Sequence, residues 1–160
     1  MAVVDPVKGW IRFCALQLIA LVLSSCAQVE TPRADDARSS EGDTVDIVMR
    51  EWYILPDKTA VDEGDVTFTI HNIGRMEHEF IIIKTTLPVH ELPAHEKGLN
   101  EKKAGKMIAE VEDIHPGETR ALTMHMEPGR YVLFCNKVEK EDHEIISHYR
   151  LGMRVGFVVR

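Results

Sequence analysis

The chain has 160 residues, 28% of them charged and 44% hydrophobic, as in an ordinary globular protein built around one domain. A formal net charge of −7, with no long basic run and no interleaving of aromatic and basic residues, argues against nucleic acid as a partner. The three cysteines, Cys14, Cys26 and Cys135, have the spacing of neither a disulfide framework nor a paired-cysteine zinc site.

Residues 1–25 read as a targeting segment. Lys8 and Arg12 precede an apolar stretch, residues 15–23, that is too short to span a bilayer comfortably, so export to the cell envelope is expected. The stretch ends in Leu23-Ser24-Ser25-Cys26, which resembles the cleavage box of bacterial lipoproteins, where the cysteine becomes the lipid-bearing first residue. Ordinary cleavage and an uncleaved anchor are the alternatives. Two or more acyl chains, each buried CH₂ contributing roughly 0.8 kcal/mol, would make a stable anchor. Residues 26–43 follow as a flexible tether, without aromatics and rich in Ser, Asp, Glu and Arg, with a reach of about 20 to 25 Å. Cys14 then leaves with the signal and Cys26 carries lipid. Cys135 is left without a disulfide partner in a compartment where disulfides form, as an inert core thiol or as a ligand.

From residue 44 the chain changes to short β-type runs. Residues 44–55 (TVDIVMREWYIL) alternate at first and are expected to form one strand, stopping before Pro56. Residues 59–61 are a short strand before a turn, and residues 66–72 alternate with Val66, Phe68 and Ile70 inward. Residues 78–86 (HEFIIIKTT) are apolar on both faces, as in a central strand. Residues 88–107 hold two prolines, His90 and His95, and read as a long connection with a short helix near 96–103; an isolated histidine pair there belongs to a solvated face. Strands resume at 108–114, 119–126, 130–135 and 155–159. The pattern predicts an all-β, antiparallel Greek-key sandwich of seven to eight strands over residues 44–160, with one long, partly helical insertion.

Chemistry concentrates at the end. In Tyr131-Val132-Leu133-Phe134-Cys135 the cysteine stands at the strand's last position, followed by a polar loop, His148 and Met153. Thiolate, imidazole and thioether form a soft donor set that favours copper, and a trigonal site of two histidines and a cysteine with a weak axial methionine is the blue-copper geometry. The missing imidazole is His78, which opens its own strand. If the two strands are antiparallel neighbours, both donors fall at one end of the sandwich. His143 competes with His148, but it lies within the charged run EKEDHE, whereas His148 adjoins Tyr149 on the return to the core. Asn72 and Asn136 are candidates to brace the site.

These residues resemble the cupredoxins, blue-copper proteins of the plastocyanin and azurin type. The resemblance spans roughly residues 44–160 and rests on His78-Glu79-Phe80-Ile81, on the turn and strand from Pro128-Gly129 to Cys135, on the His-x4-Met spacing of His148 and Met153, and on Gly152-Met153 before a final β-run. It implies one type 1 copper ion held by His78, Cys135 and His148, with Met153 axial. Twelve residues separate Cys135 from His148, where many cupredoxins have only a few. The implied function is a non-enzymatic, membrane-tethered carrier of single electrons between redox proteins, in keeping with the lack of Gly-x-Ser-x-Gly, a phosphate-binding glycine loop, His-x-His pairs or any other small-molecule substrate motif. Envelope copper handling, with Met76, Met124, Met126 and His125 assisting, is the alternative. A metal-free immunoglobulin-like domain and a zinc site are the remaining readings. The acidic segment Glu139-Lys140-Glu141-Asp142 is a candidate contact for a basic redox partner.

Overall fold

The computed structural model describes residues 42–160. The targeting segment, Cys26 and all but the last two residues of the tether lie outside the described residues. The chain runs through β1 (Asp43–Arg50), β2 (Tyr53–Pro56), β3 (Ala60–Val61), β4 (Gly64–Asn72) and β5 (His78–Lys84). A connection holds a 3₁₀ turn (Val89–Glu91), β6 (Ala94–His95), β7 (Gly98–Leu99) and α1 (Glu101–Ala104). Then come β8 (Lys106–Ile114), β9 (Thr119–Met126), β10 (Gly129–Phe134), β11 (Val138–Glu141), β12 (Glu144–Ser147), α2 (His148–Leu151) and β13 (Arg154–Val159).

Alternation builds the first layer. Val45, Ile47 and Met49 of β1 and Val66, Phe68 and Ile70 of β4 are wholly buried, and the residues between them face outward. They belong to a four-stranded sheet in the order β2-β1-β4-β9, which packs against a five-stranded sheet in the order β3-β13-β10-β5-β8. Phe80 and Ile82 of β5, Tyr131 and Leu133 of β10 and Phe157 of β13 complete the core from the second sheet. The result is the expected all-β Greek-key sandwich, with more strands than the sequence pattern suggested.

Two further expectations are corrected. Pairing is not wholly antiparallel, because β1 runs parallel to β4 and β13 parallel to β3. Residues 44–55 are not one strand: the chain folds back at Glu51-Trp52, and β2 pairs antiparallel with β1, Pro56 lying opposite Ile47. Pro56 is tolerated because β2 is the outer strand of its sheet.

The doubly apolar character of β5 and β10 has a plain cause. Ile81, Ile83, Val132 and Phe134 point away from the main core and form a second cluster with Leu92, Leu99, Ala104 and Tyr149. The 88–105 connection is therefore a cover for the outer face of the second sheet. Its helix is a single turn, α1, shorter than the 96–103 expectation. His90 and His95 are exposed on it, His90 beside Glu91 and His95 accepting from the Lys97 amide, and among the described residues neither belongs to a cluster of three metal-ligating groups.

Phe157 is 1% exposed and meets the Phe68 ring with centroids 5.7 Å apart. Phe157→Ala is expected to destabilise the metal-free protein by about 3–5 kcal/mol through lost transfer energy and a residual cavity. Denaturant unfolding measures this, and a loss below about 1 kcal/mol would contradict the assigned core position.

Candidate metal centre

Strand pairing brings the first two donors together. β5 and β10 are antiparallel neighbours with Ile81 opposite Phe134, so His78 at the start of one and Cys135 just past the end of the other share a pole. The third donor arrives on α2. Ser147 caps that turn, its hydroxyl accepting from the Arg150 amide at 3.4 Å. Backbone bonds then lock the ligand loop: His148 N to Lys137 O at 3.0 Å, Met153 N to His148 O at 3.1 Å, and Cys135 N to Met153 O at 3.0 Å.

The donor atoms of His78, Cys135 and His148 all lie within 4.8 Å of one another. The two Nδ1 atoms are 3.1 Å apart and Cys135 Sγ is 3.3 Å from His148 Nδ1. All three residues are 0% exposed. Two imidazole nitrogens and one sulfur in a dry pocket are the trigonal donor set that suits type 1 copper, and they fit a single such ion. Met153 is also fully buried, within the main core. Its backbone bonds tie it to the residues of two of the three donors.

His143 is not part of this group. It forms with Asp142 the two-residue turn between β11 and β12, both with positive φ (45° and 74°), and it is exposed at the tip. The loop after Cys135 is thus a hairpin rather than the expected irregular segment.

Electrostatics keep the pocket neutral without metal. Burial pushes the Cys135 thiol up to about 12, with the amides of Glu79 and Lys137 acting in the opposite sense. Glu79 N donates to Sγ at 3.4 Å. Burial likewise holds His78 below the ordinary histidine range, opposed by Glu51. His148 falls to about 4, through burial first and then the neighbouring His78 and Lys137.

Both asparagines suggested as braces are used. Asn72 Nδ2 donates to Met76 O and Ile114 O, each at 2.8 Å, and its Oδ1 accepts from Gly74 N, which shapes the loop entering His78. Asn136 Oδ1 accepts from Leu99 N at 2.7 Å, Nδ2 donates to Leu99 O and Glu101 Oε1, and its amide donates to Glu79 Oε1. The residue after Cys135 is thereby clamped to the 88–105 cover. Gly98 permits this approach, since a Cβ there would stand 2.3 Å from Asn136 Oδ1. Trp52, Glu51 and Glu139 surround the histidines and were not singled out as site residues from sequence. The Trp52 ring meets His148 edge-on at 5.3 Å.

No family model matches the sequence, and no curated protein matches it. Solved structures do. Dithionite-reduced auracyanin from the photosynthetic bacterium Roseiflexus castenholzii is 21% identical, with a TM-score of 0.52 over 74% of this chain and 98% of that one. Auracyanin B is 16% identical, with a TM-score of 0.51 over 74% and 88%. Auracyanin A, a "blue" copper protein from the green thermophilic photosynthetic bacterium Chloroflexus aurantiacus, is 22% identical over 73% and 98%, with a TM-score of 0.48. The first two establish the fold: the described domain is a cupredoxin-type β-sandwich.

The buried histidines set a pH dependence. Their folded pKa values lie below the free value of 6.5, so the folded state favours the neutral rings. Stability is complete above pH 6.5 and is lost as pH falls from there toward about 4, where His148 accepts a proton in place. The denaturation midpoint of metal-free protein should decline across that window, and less so in His148→Gln. A midpoint that is flat from pH 7 to 4 would contradict the burial described.

Proposed function

We propose that this chain is a type 1 copper protein that carries single electrons between redox proteins in the cell envelope. The observation that supports it best is the convergence of His78 Nδ1, His148 Nδ1 and Cys135 Sγ in a fully buried pocket. Copper held there supplies a one-electron Cu(II)/Cu(I) couple. The protein's part is to fix the donors before metal arrives, so that a change of charge moves little around it. The β5–β10 pairing and the three backbone bonds of the ligand loop do that. Met153 is the proposed axial ligand, and the Glu79 amide on Sγ tempers the sulfur's electron donation.

All three donors are sealed from solvent, which suits an ion that exchanges electrons through the protein. His148 is closed to solvent, so an electron would pass through its neighbours, and the part-exposed Trp52 against the ring is the proposed route. Copper handling is less favoured. Met126 is buried in the core and Met124 packs against it, so these two are engaged structurally, whereas Met76 lies part-buried in the loop before His78 and His125 is exposed beside Asp65. Zinc suits Cys and two His as well, but not a fourth thioether donor.

Lipid attachment at Cys26 is proposed on the Leu-Ser-Ser-Cys box alone, with residues 26–43 as tether and the domain on the extracytoplasmic side. Mass spectrometry of the chain purified from its native membrane tests it; a mature chain whose first residue is not an acylated Cys26 contradicts it.

Adding Cu(II) to metal-free protein should give intense visible colour that saturates at one equivalent. Cys135→Ser should abolish the colour while leaving the fold intact, since Ser replaces a buried group of similar size. A wild-type protein that stays colourless with Cu(II) contradicts the function proposed.

A further inference from the structure

The outer nitrogens of the two histidines raise a question the ligand set does not answer. With each Nδ1 turned toward the metal position, the ring proton of a neutral histidine sits on Nε2. His78 Nε2 and His148 Nε2 are both sealed from solvent without a hydrogen-bond partner. Leaving such a donor buried and unsatisfied costs about 1–3 kcal/mol.

Each nevertheless faces one carboxylate. Glu51 Oε1 lies 3.8 Å from His78 Nε2, and Glu139 Oε1 lies 3.7 Å from His148 Nε2. Neither is a hydrogen bond as it stands, but both separations exceed an N–H···O bond by less than 1 Å. The carboxylates come from distant parts of the chain, Glu51 from the β1–β2 turn and Glu139 from β11. Their convergence on the same two atoms of the same centre is not a product of local sequence.

Glu51 is fixed beside His78 by the loop that precedes that histidine. Its Oε1 accepts from the amides of Arg75 and Met76, each at 2.7 Å. Burial acts to raise its carboxyl, but the amides of Met76, Arg75 and Glu51 itself, with His78, together outweigh burial and hold it below the usual carboxylate range. Glu139 is set by the hairpin, its backbone opposite Ile146, with a side chain 34% exposed. Lys137, two residues before it, is engaged by Glu77 and by Asp113 at 3.3 Å.

We propose that Glu51 and Glu139 are positioning residues of the copper centre, each accepting a hydrogen bond from the outer N–H of one histidine ligand and together biasing the site toward the oxidised ion. An acceptor carboxylate on the far side of an imidazole fixes its tautomer, orients the ring and makes the coordinating nitrogen more basic. A more basic nitrogen and a nearby negative charge stabilise the doubly charged ion more than the singly charged one. The twelve residues between Cys135 and His148 thereby gain a role: they carry Glu139 to His148. The inference rests on the copper function proposed above.

The experiment compares reduction potentials of the copper-loaded chain in wild type, E51Q, E139Q and the control E144Q. Glu144 is an exposed residue of the same hairpin, opposite Glu141, so E144Q removes the same charge without touching a ligand. E51Q and E139Q should each raise the potential by an amount equal to about tenfold weaker binding of Cu(II) relative to Cu(I), about 59 mV for one electron. E144Q should stay at the wild-type value, and all variants should keep the colour of the Cys135 bond. In the diamagnetic Cu(I) form, proton NMR should show slowly exchanging Nε2–H signals, with that of His148 shifted or lost in E139Q alone. Potentials that do not move, or that move equally in E139Q and E144Q, overturn the proposal while leaving the copper function standing. A wild-type chain that takes up no copper overturns both.

Discussion

Three donor groups share one pocket from which water is excluded, and this constraint shapes the rest of the domain. Without a cation, the thiol keeps its proton and the imidazoles stay neutral, because burial penalises every charged form. A soft cation turns that liability into a binding site by accepting all three donors at once. The pocket must stay dry and rigid for the same reason. Sheet pairing fixes two donors, and the third is fastened through backbone bonds that include Met153.

The two departures from a minimal sandwich do different work around that pocket. The 88–105 connection covers the outer face of β5 and β10 with Leu92, Leu99 and Ala104, which makes the ligand-bearing strands central in three dimensions. Asn136 carries that support to the residue beside Cys135. The 138–147 hairpin instead lies over His148, with Glu139 directed at its outer nitrogen. The His148 ring is therefore covered by its neighbours and presents no bare imidazole edge to solvent.

Much of this was legible in the sequence, for identifiable reasons. Period-two alternation in β4 and β9 located strands, and Cys135 at the end of an apolar run, unpaired and followed by His148 and Met153, pointed to a ligand over an inert core thiol. His148 was separable from His143 because one adjoins an aromatic returning to the core and the other sits among charges. What escaped notice depends on pairing between distant segments. Residues 44–55 contain no Gly, Asn or Asp at their fold-back, so nothing announced the turn at Glu51-Trp52. The β11–β12 hairpin closes on Asp142-His143, a weak turn signal, and β11 is too charged and β12 too short to read as β. Parallel pairing of β1 with β4 leaves no local trace. Glu51 and Glu139 looked like solvated acids, since only the assembled sandwich brings each to a histidine.

X-ray absorption at the copper edge, on the chain loaded with one equivalent, examines the donor set without depending on any variant. One sulfur at short range and two imidazole nitrogens around a single copper are the result expected of Cys135, His78 and His148. A copper surrounded only by nitrogen and oxygen, with no sulfur bound, would contradict the centre described here.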